Sequence, residues 1–251
     1  MMPQLVIFDL DGTLTESRMP MDDEMGELLQ QLLEQTDVAV ISGGALERYK
    51  AQFLDVLNKR PVNMSNLYLA PLSGSSLYTF TGGVWSPVYK ETMTMEQREK
   101  IKDAFPLAFK DIGFVPEPNP VGKLIDDRDG QVTFSGLGCE APIAQKKRWD
   151  PDRKKRMKLK DALKKYLPDF EISVGGTTSI DISRKGIDKA YGISKLSEYL
   201  SIPREEIMFM GDAIVEGGND YAAVGTGVMT QLVEGPEDTK KYVRELLSHP
   251  R

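Results

Sequence analysis

The sequence predicts an α/β fold in which a parallel-sheet domain is interrupted by an inserted α+β domain. Short apolar strands alternate with amphipathic helices over residues 1–83, the order that builds a parallel sheet. This alternation stops at residue 84, and strands then cluster with two helices as far as residue 185. It returns over 186–251. We therefore assign 1–83 and 186–251 to one domain and 84–185 to the insertion.

The first domain is predicted from apolar runs that end in polar or glycine residues. The run over 5–8 ends at Asp9 and is typical of a buried parallel strand. Apolar residues that recur three and four positions apart predict helices. The predicted strands in 1–83 and 186–251 cover 5–8, 38–41, 67–70 and 207–210, and the predicted helices cover 25–33, 46–56, 187–200 and a last helix that Pro236 opens.

The insertion is predicted from a different pattern. Thr81-Gly82-Gly83 separates two short runs over 77–89 and predicts a hairpin. Proline and glycine over 116–122 indicate a loop. Within 84–185 the predicted helices cover 94–110 and 159–167, and the predicted strands cover 132–134, 172–174 and 179–182.

Polar side chains follow three predicted strands of the first domain. Asp9 and Asp11 follow the first strand, Ser42 follows the second and Asp212 follows a late one. In an open parallel sheet, ligands bind beyond the carboxyl ends of the strands. The three sets of residues are therefore expected at one edge of the sheet, although they lie far apart in the chain.

The chemistry of these residues suits phosphoryl transfer. One of two carboxylates placed two residues apart can attack phosphorus, and the other can donate and accept a proton. Because like charges this close repel, we expect a cation among them, and Mg²⁺ prefers carboxylate and phosphate oxygens. Asp212 would be a further ligand, and Asn219 and Asp220 could orient metal-bound water.

The segment Ser42-Gly43-Gly44 offers a hydroxyl and exposed backbone N–H groups before a predicted helix, which is typical of a phosphate cradle. Taken singly, each of these motifs is more often a turn or a loop. Their co-occurrence at successive strand ends favours catalysis.

These residues resemble the haloacid dehalogenase superfamily, whose signature is Asp-x-Asp-Gly-Thr. Within it the chain is similar to the eukaryotic-type phosphomannomutase family, in which a mixed α/β cap (type IIB) is inserted after the third strand of a Rossmann-like core. The resembling segments are Asp9-Leu10-Asp11-Gly12-Thr13-Leu14-Thr15, Ser42-Gly43-Gly44, Val174-Gly175-Gly176 with Ser179-Ile180-Asp181, Gly186-Ile187-Asp188-Lys189, Gly211-Asp212 with Gly217-Gly218-Asn219-Asp220, and Pro236-Glu237-Asp238-Thr239.

The resemblance implies roles by position. Asp9 would be the nucleophile and Asp11 the general acid/base. Mg²⁺ would be held by Asp9, the backbone carbonyl of Asp11 and Asp212. Ser42 and Lys189 would hold the transferring phosphoryl group. The implied substrate contacts are Arg18 in the core and Lys123, Arg128, Ser179 and Asp181 in the cap.

Two positions depart from the family pattern. Where the family has arginines that grip a distal phosphate, this chain has Lys123 and Leu137. Lysine keeps the charge but lacks the bidentate fork, and leucine lacks both. The resemblance implies interconversion of mannose 6-phosphate and mannose 1-phosphate, and the two departures favour the alternative, sugar-phosphate hydrolysis. Lys146, Lys147 or Arg148 are candidates to replace the missing arginines.

Composition bounds the remaining alternatives. The formal charge is −6, and the single histidine and single cysteine leave little room for histidine or thiol catalysis and none for an intrachain disulfide. Residues 146–165 hold eleven Lys/Arg and three Asp, which fits a solvated helix face, a rim that attracts phosphorylated sugars or, as a remote alternative, a nucleic-acid or phosphosugar-binding module. With no signal-peptide or membrane-spanning pattern, we expect a cytoplasmic enzyme without nucleic-acid or membrane partners. The resemblance implies a homodimer through the cap.

Overall fold

A computed structural model describes residues 2–249. These residues contain eleven strands: β1 (Leu5–Asp9), β2 (Asp37–Ile41), β3 (Leu67–Ala70), β4 (Ser76–Thr81), β5 (Val84–Lys90), β6 (Ile125–Asp127), β7 (Val132–Ser135), β8 (Phe170–Gly175), β9 (Ser179–Arg184), β10 (Ile207–Gly211) and β11 (Met229–Leu232). The α-helices of the same residues are α1 (Asp23–Leu33), α2 (Leu46–Tyr49), α3 (Asp55–Leu57), α4 (Met95–Ile112), α5 (Ile143–Trp149), α6 (Lys154–Tyr166), α7 (Lys189–Leu200) and α8 (Pro236–Leu247). A π-helical segment, Lys50–Leu54, joins α2 to α3.

The chain divides into two compact units. The first unit comprises Met1–Lys90 and Lys189–Arg251, and the second comprises Glu91–Asp188. The sequence-based boundary at residue 84 falls earlier than this division, because β5 (Val84–Lys90) pairs with β4 and so stays with the first unit.

The first unit is built on a seven-stranded sheet with the order β11-β10-β1-β2-β3-β4-β5. The five strands from β11 to β3 are parallel, and β4 and β5 add an antiparallel edge. Alternate residues of β1 enter separate apolar clusters, Val6 and Phe8 in one and Leu5 and Ile7 in the other. Both faces of the sheet are therefore covered, as expected for parallel strands. The predicted α/β fold is confirmed.

The second unit is a four-stranded antiparallel sheet with the order β6-β7-β9-β8. Val132 and Phe134 of β7 and Ile180 and Ile182 of β9 pack with apolar residues of α4 and α6. Since side chains alternate along a strand, the residues between them face the other way. The sheet therefore has one apolar face covered by helices and one polar face.

Local signals set several helix ends. Asp22 caps α1 by accepting a hydrogen bond from the Met25 N–H. Thr94 and Gln97 form a capping box at the start of α4, and Gly113 ends that helix in the left-handed region. Within the described residues no helix has the length and apolar character that crossing a membrane requires.

Candidate active site

Three neighbouring parallel strands bring the candidate residues to one edge of the first unit. The register pairs Asp9 with Ile41 and Phe8 with Met210. Asp9, the residue before Ser42 and the strand that leads into Asp212 are therefore adjacent. The sheet brings together side chains that are about two hundred residues apart in the chain.

Asp9 is a buried carboxylate at the end of β1, with only 4% of the residue exposed. It accepts a hydrogen bond from Lys189 Nζ, which also binds the carboxylate of Asp220. Burial raises the pKa of Asp9 well above its usual range, and the charges of Asp220 and Asp212 raise it further, whereas Lys189 lowers it only in part. The site therefore concentrates negative charge and favours a cation.

Lys189 opens α7 and is itself almost wholly buried. Burial by itself lowers the pKa of Lys189, but the carboxylates of Asp220 and Asp9 outweigh it and hold the pKa above its usual range. The lysine is therefore a permanent positive charge between two carboxylates, and it can also offset the charge of a bound phosphoryl group.

Three carboxylates could together hold a metal ion. Oxygens of Asp9, Asp212 and Asp220 all lie within 4.8 Å of one another. The Ala213 N–H donates to Asp220 Oδ2 at 3.0 Å and fixes that side chain. An all-oxygen donor set of this kind fits a hard divalent cation such as Mg²⁺ or Ca²⁺.

The absence of a side chain at Gly12 leaves room for the Asp212 carboxylate. Its φ of +93° lies in the left-handed region, and a Cβ there would stand 2.6 Å from Asp212 Oδ2. A side chain at position 12 would therefore strain the backbone and displace a candidate metal ligand. The glycine of the Asp-x-Asp-Gly segment is required on both counts.

The Asp11 carboxylate has different hydrogen-bond partners from the Asp9 carboxylate. It accepts from Arg48 Nη2 at 2.9 Å, from Gln52 Nε2 at 3.0 Å and from the Arg18 N–H at 2.7 Å. Burial raises the pKa of Asp11, but the charge of Arg48 and the two further donors outweigh it and hold the pKa below its usual range. Two aspartates of one short motif thus have opposite pKa shifts.

Ser42 follows β2 and is buried. Its hydroxyl accepts the Gly44 N–H at 3.1 Å, and its carbonyl accepts the Ser73 N–H at 2.8 Å. The Leu72 N–H donates to the Gly44 carbonyl at 3.0 Å. Leu72 and Ser73 have φ values of 53° and 57°, so a left-handed turn holds the Ser42–Gly44 loop in place.

Comparisons with known proteins identify the family. Residues 25–249 match the sequence profile described as eukaryotic phosphomannomutase. The chain belongs to the eukaryotic phosphomannomutase family. The phosphomannomutase of Saccharomyces cerevisiae is 28% identical, over 97% of this chain and 94% of its own length. That of Spinacia oleracea is 27% identical, over 96% and 95%. The resemblance inferred from the motifs is confirmed.

Solved structures support the same fold. IMP-bound Plasmodium falciparum IMP-nucleotidase, truncated at its N-terminus, superposes with a TM-score of 0.72 at 15% identity, covering 99% of this chain and 69% of that one. SMU.1108c from Streptococcus mutans gives a TM-score of 0.65 at 14% identity, covering 98% of this chain and 100% of that one. At these identities the likeness concerns the fold alone.

The substrate contacts that the family implies fall mainly in the second unit. Lys123 Nζ and Arg128 Nε both bind the carboxylate of Asp126, at 3.0 and 2.9 Å. Asp181 Oδ1 accepts from Thr133 Oγ1 at 2.7 Å and from the Gln131 side chain at 3.0 Å. Asp181 therefore belongs to a hydrogen-bonded cluster on the polar sheet face.

The other family-implied residues have distinct local settings. Ser179 shares the polar face with Asp181, because the two are two residues apart on β9. Arg18 belongs to the first unit and has a φ of 62°, with its N–H bound to Asp11. Asn219 directly precedes Asp220, whose side chain is the one fixed against Lys189.

Two partners of the site were not predicted from the sequence. Arg48 and Gln52 bind Asp11, although the sequence suggested only an apolar helical stripe over 46–56. Their four-residue spacing after the Ser42 loop is the signal that could have found them, since it places both side chains on one helix face. The sequence predicted only that Asp220 orients metal-bound water. In the structure its carboxylate also forms an ion pair with Lys189.

Proposed function

We propose that the chain is a phosphomannomutase that interconverts mannose 6-phosphate and mannose 1-phosphate by Mg²⁺-dependent phosphoryl transfer through an aspartyl phosphate. One observation carries the proposal: the buried carboxylate of Asp9, the proposed nucleophile, lies close to two further carboxylates and a buried lysine. Binding alone requires no such nucleophile. Cytoplasmic location and a homodimer through the second unit complete the proposal.

Each residue of the site has a proposed role in the reaction. An Asp9 oxygen attacks phosphorus while Asp11 gives a proton to the leaving sugar oxygen, and Asp11 later takes a proton from the attacking hydroxyl. Lys189 and the Ser42–Gly44 loop hold the phosphoryl oxygens. Mg²⁺ would be held by Asp9, Asp212 and the Asp11 carbonyl, with Asp220 and Asn219 beside it. When bound, it neutralises the charge that gathers between the carboxylates and the phosphate.

The second unit is proposed as the cap, the domain that determines substrate specificity. Its polar sheet face carries Ser179 and Asp181, which would bind sugar hydroxyls. Arg128 and Lys123 would bind the distal phosphate. Both cations pair with Asp126, so an incoming phosphate would compete with that carboxylate for them.

A sugar-phosphate phosphatase is the second candidate, and Leu137 favours it. A mutase must hold a bisphosphate intermediate in two orientations, whereas a phosphatase releases the phosphoryl group to water. The replacement cations are also limited: Lys146 is fully buried and donates to the Cys139 carbonyl at 2.8 Å. A weak distal phosphate site would shift the reaction toward hydrolysis.

The deciding experiment measures isomerisation and phosphate release side by side. Mannose 1-phosphate is supplied with Mg²⁺, with and without a hexose bisphosphate. Conversion to mannose 6-phosphate that the bisphosphate stimulates supports the mutase. Phosphate release that is independent of the bisphosphate supports the phosphatase. Asp9→Asn, which keeps the shape of the side chain, should abolish both activities, and full activity in this variant would refute the mechanism.

Leu137→Arg tests the reason given for the second candidate. The added guanidinium can bind a phosphate with two parallel hydrogen bonds, so we expect the ratio of isomerisation to phosphate release to rise about tenfold. Leu137→Lys is the matched control and should raise the ratio less. An unchanged ratio in the arginine variant would remove Leu137 from the argument.

A further inference from the structure

The Asp11 carboxylate is bound by two side chains from the helical segment that follows the Ser42 loop. Arg48 Nη2 lies 2.9 Å from Asp11 Oδ2, and Gln52 Nε2 lies 3.0 Å from Asp11 Oδ1. The Arg18 N–H adds a third contact to Oδ1 at 2.7 Å. Each carboxylate oxygen therefore has at least one donor, and together the donors fix the plane of the group.

The local helix geometry brings both side chains to the same target. Arg48 lies in the last turn of α2, and Gln52 lies in the middle of the π-helical segment Lys50–Leu54. Residues four apart share a helix face, and single π turns inside helices are frequent at functional sites. The segment therefore presents an arginine and an amide together to Asp11.

Further contacts hold this pair in place. Gln52 is buried, and its backbone carbonyl accepts the Met21 N–H at 2.7 Å. This hydrogen bond connects the π-helical segment to the residues that follow the Asp11 motif. A Cβ built on Gly44 would stand 3.3 Å from both Cδ and Nη1 of Arg48. The arginine thus lies directly over the phosphate loop and links that loop to Asp11.

We propose that Arg48 and Gln52 are positioning residues that orient the Asp11 carboxylate for proton transfer to and from the sugar oxygen. An aspartate side chain rotates about two bonds, and a general acid must lie within hydrogen-bond reach of the atom it protonates. Contacts to both oxygens remove that freedom. The inference rests on the proposed phosphoryl transfer and adds two residues to its machinery.

The proton that Asp11 supplies gives the test. In the first step the bond from Asp9 oxygen to phosphorus forms, the bond from phosphorus to the leaving oxygen breaks, and Asp11 protonates that oxygen. A sugar alkoxide needs this proton. The p-nitrophenolate of p-nitrophenyl phosphate is a stable anion and leaves without it. Loss of Asp11 orientation should therefore affect the sugar phosphate far more than the aryl phosphate.

The variants are Gln52→Met, which keeps the length of the side chain, Arg48→Met, which keeps an apolar stem and removes the guanidinium, and Arg48→Lys, which keeps the charge. Lys50→Met is the matched control, since Lys50 lies on the same π-helical segment, is exposed and pairs with Asp55 at 2.7 Å. Conversion of mannose 1-phosphate in the presence of a hexose bisphosphate, and release of p-nitrophenolate from p-nitrophenyl phosphate, are measured at saturating Mg²⁺.

We expect both methionine variants to lower kcat/KM for mannose 1-phosphate about 100-fold, a typical contribution of general acid catalysis. The kcat/KM for release of p-nitrophenolate, which reports only the first step, should stay within about threefold. Arg48→Lys should recover part of the loss, and Lys50→Met should match the wild type. Equal losses with both substrates would indicate damage to folding or to the carboxylate cluster and overturn the inference, as would no loss at all. A wild type that is inactive on both substrates would instead refute the proposed function.

Discussion

Asp9, Lys189 and Asp220 form a buried chain of alternating charge at the centre of the site. Lys189 is the shared partner, and all three side chains are nearly inaccessible to solvent. Removing one partner of a buried ion pair leaves the others uncompensated, which is far more damaging than losing a surface pair. The residues proposed for catalysis therefore also contribute to stability, and the two effects can be separated by experiment.

Lys189→Met tests the structural part of this account. It leaves two buried carboxylates without their cation, so we expect the free energy of unfolding to fall by about 3–5 kcal/mol. The measurement is urea unfolding at neutral pH in metal-free buffer. The control is Lys195→Met, which removes the more exposed pair with Glu198 on the same helix and should cost about 1 kcal/mol or less. Similar losses in the two variants would contradict the account.

Tyr68 gives a pH dependence of known sign. Burial, with a smaller contribution from the charge of Asp37, raises the pKa of Tyr68 from 10.0 to about 12. A raised folded-state pKa contributes stability that is complete below the unfolded value and is lost as the pH rises through the folded value. Between pH 10 and 12 we therefore expect the wild type to lose on the order of 1 kcal/mol more than Tyr68→Phe, because solvent screens a half-buried group. Parallel unfolding curves across this range would show that the shift is absent.

At the scale of elements, the turn after β1 depends on one glycine for two separate reasons. Gly12→Ala should strain a left-handed backbone and push against Asp212. Gly82→Ala is the matched control, because Gly82 also has a left-handed φ, of +63°, but a Cβ there meets nothing within 4 Å. Both variants should lose about 1–2 kcal/mol of unfolding free energy from backbone strain.

The two glycine variants differ in their effect on the metal site. Displacement of Asp212 should weaken Mg²⁺ binding by about tenfold or more in Gly12→Ala, as measured by titration calorimetry, since ligand geometry governs Mg²⁺ affinity. Gly82→Ala should bind Mg²⁺ like the wild type. Equal Mg²⁺ affinities in the two variants would separate Gly12 from the metal site.

Some secondary-structure elements could be predicted from the sequence and others could not. Parallel strands with apolar runs and polar ends were predictable, so the edge that carries Asp9, Ser42 and Asp212 was predictable too. The short strand β6 and the helix α5 were not predicted, because a three-residue strand and a seven-residue helix carry little periodicity. The π-helical turn that presents Gln52 was missed for a different reason, since it lies inside the helix predicted over 46–56 and departs from the regular helical period.

At the scale of the whole molecule, two units each have their own sheet and apolar core. The insertion was predicted from the change of strand and helix pattern. Its first boundary was placed too early, because a hairpin strand such as β5 looks alike in either unit. Assignment of that strand depends on its pairing with β4, which is a tertiary contact.

The separate core of the second unit predicts independent folding. Residues 91–188, expressed alone, should unfold cooperatively, because the apolar face of the four-stranded sheet is covered by helices of the same unit. Circular dichroism during heating measures the transition. The control is the same segment with Phe134→Ala, which should unfold at a lower temperature since Phe134 is fully buried. A gradual, non-cooperative loss of signal would contradict the prediction.

In the proposed reaction Asp9 carries a phosphoryl group. The most direct measurement mixes the protein with Mg²⁺ and a hexose bisphosphate, quenches the reaction in acid within milliseconds and locates the phosphoryl group by peptide mass spectrometry. The account predicts one phosphoryl group on the peptide that contains Asp9, and none in Asp9→Asn. Turnover without that label, or a label on another residue that persists in Asp9→Asn, would contradict it.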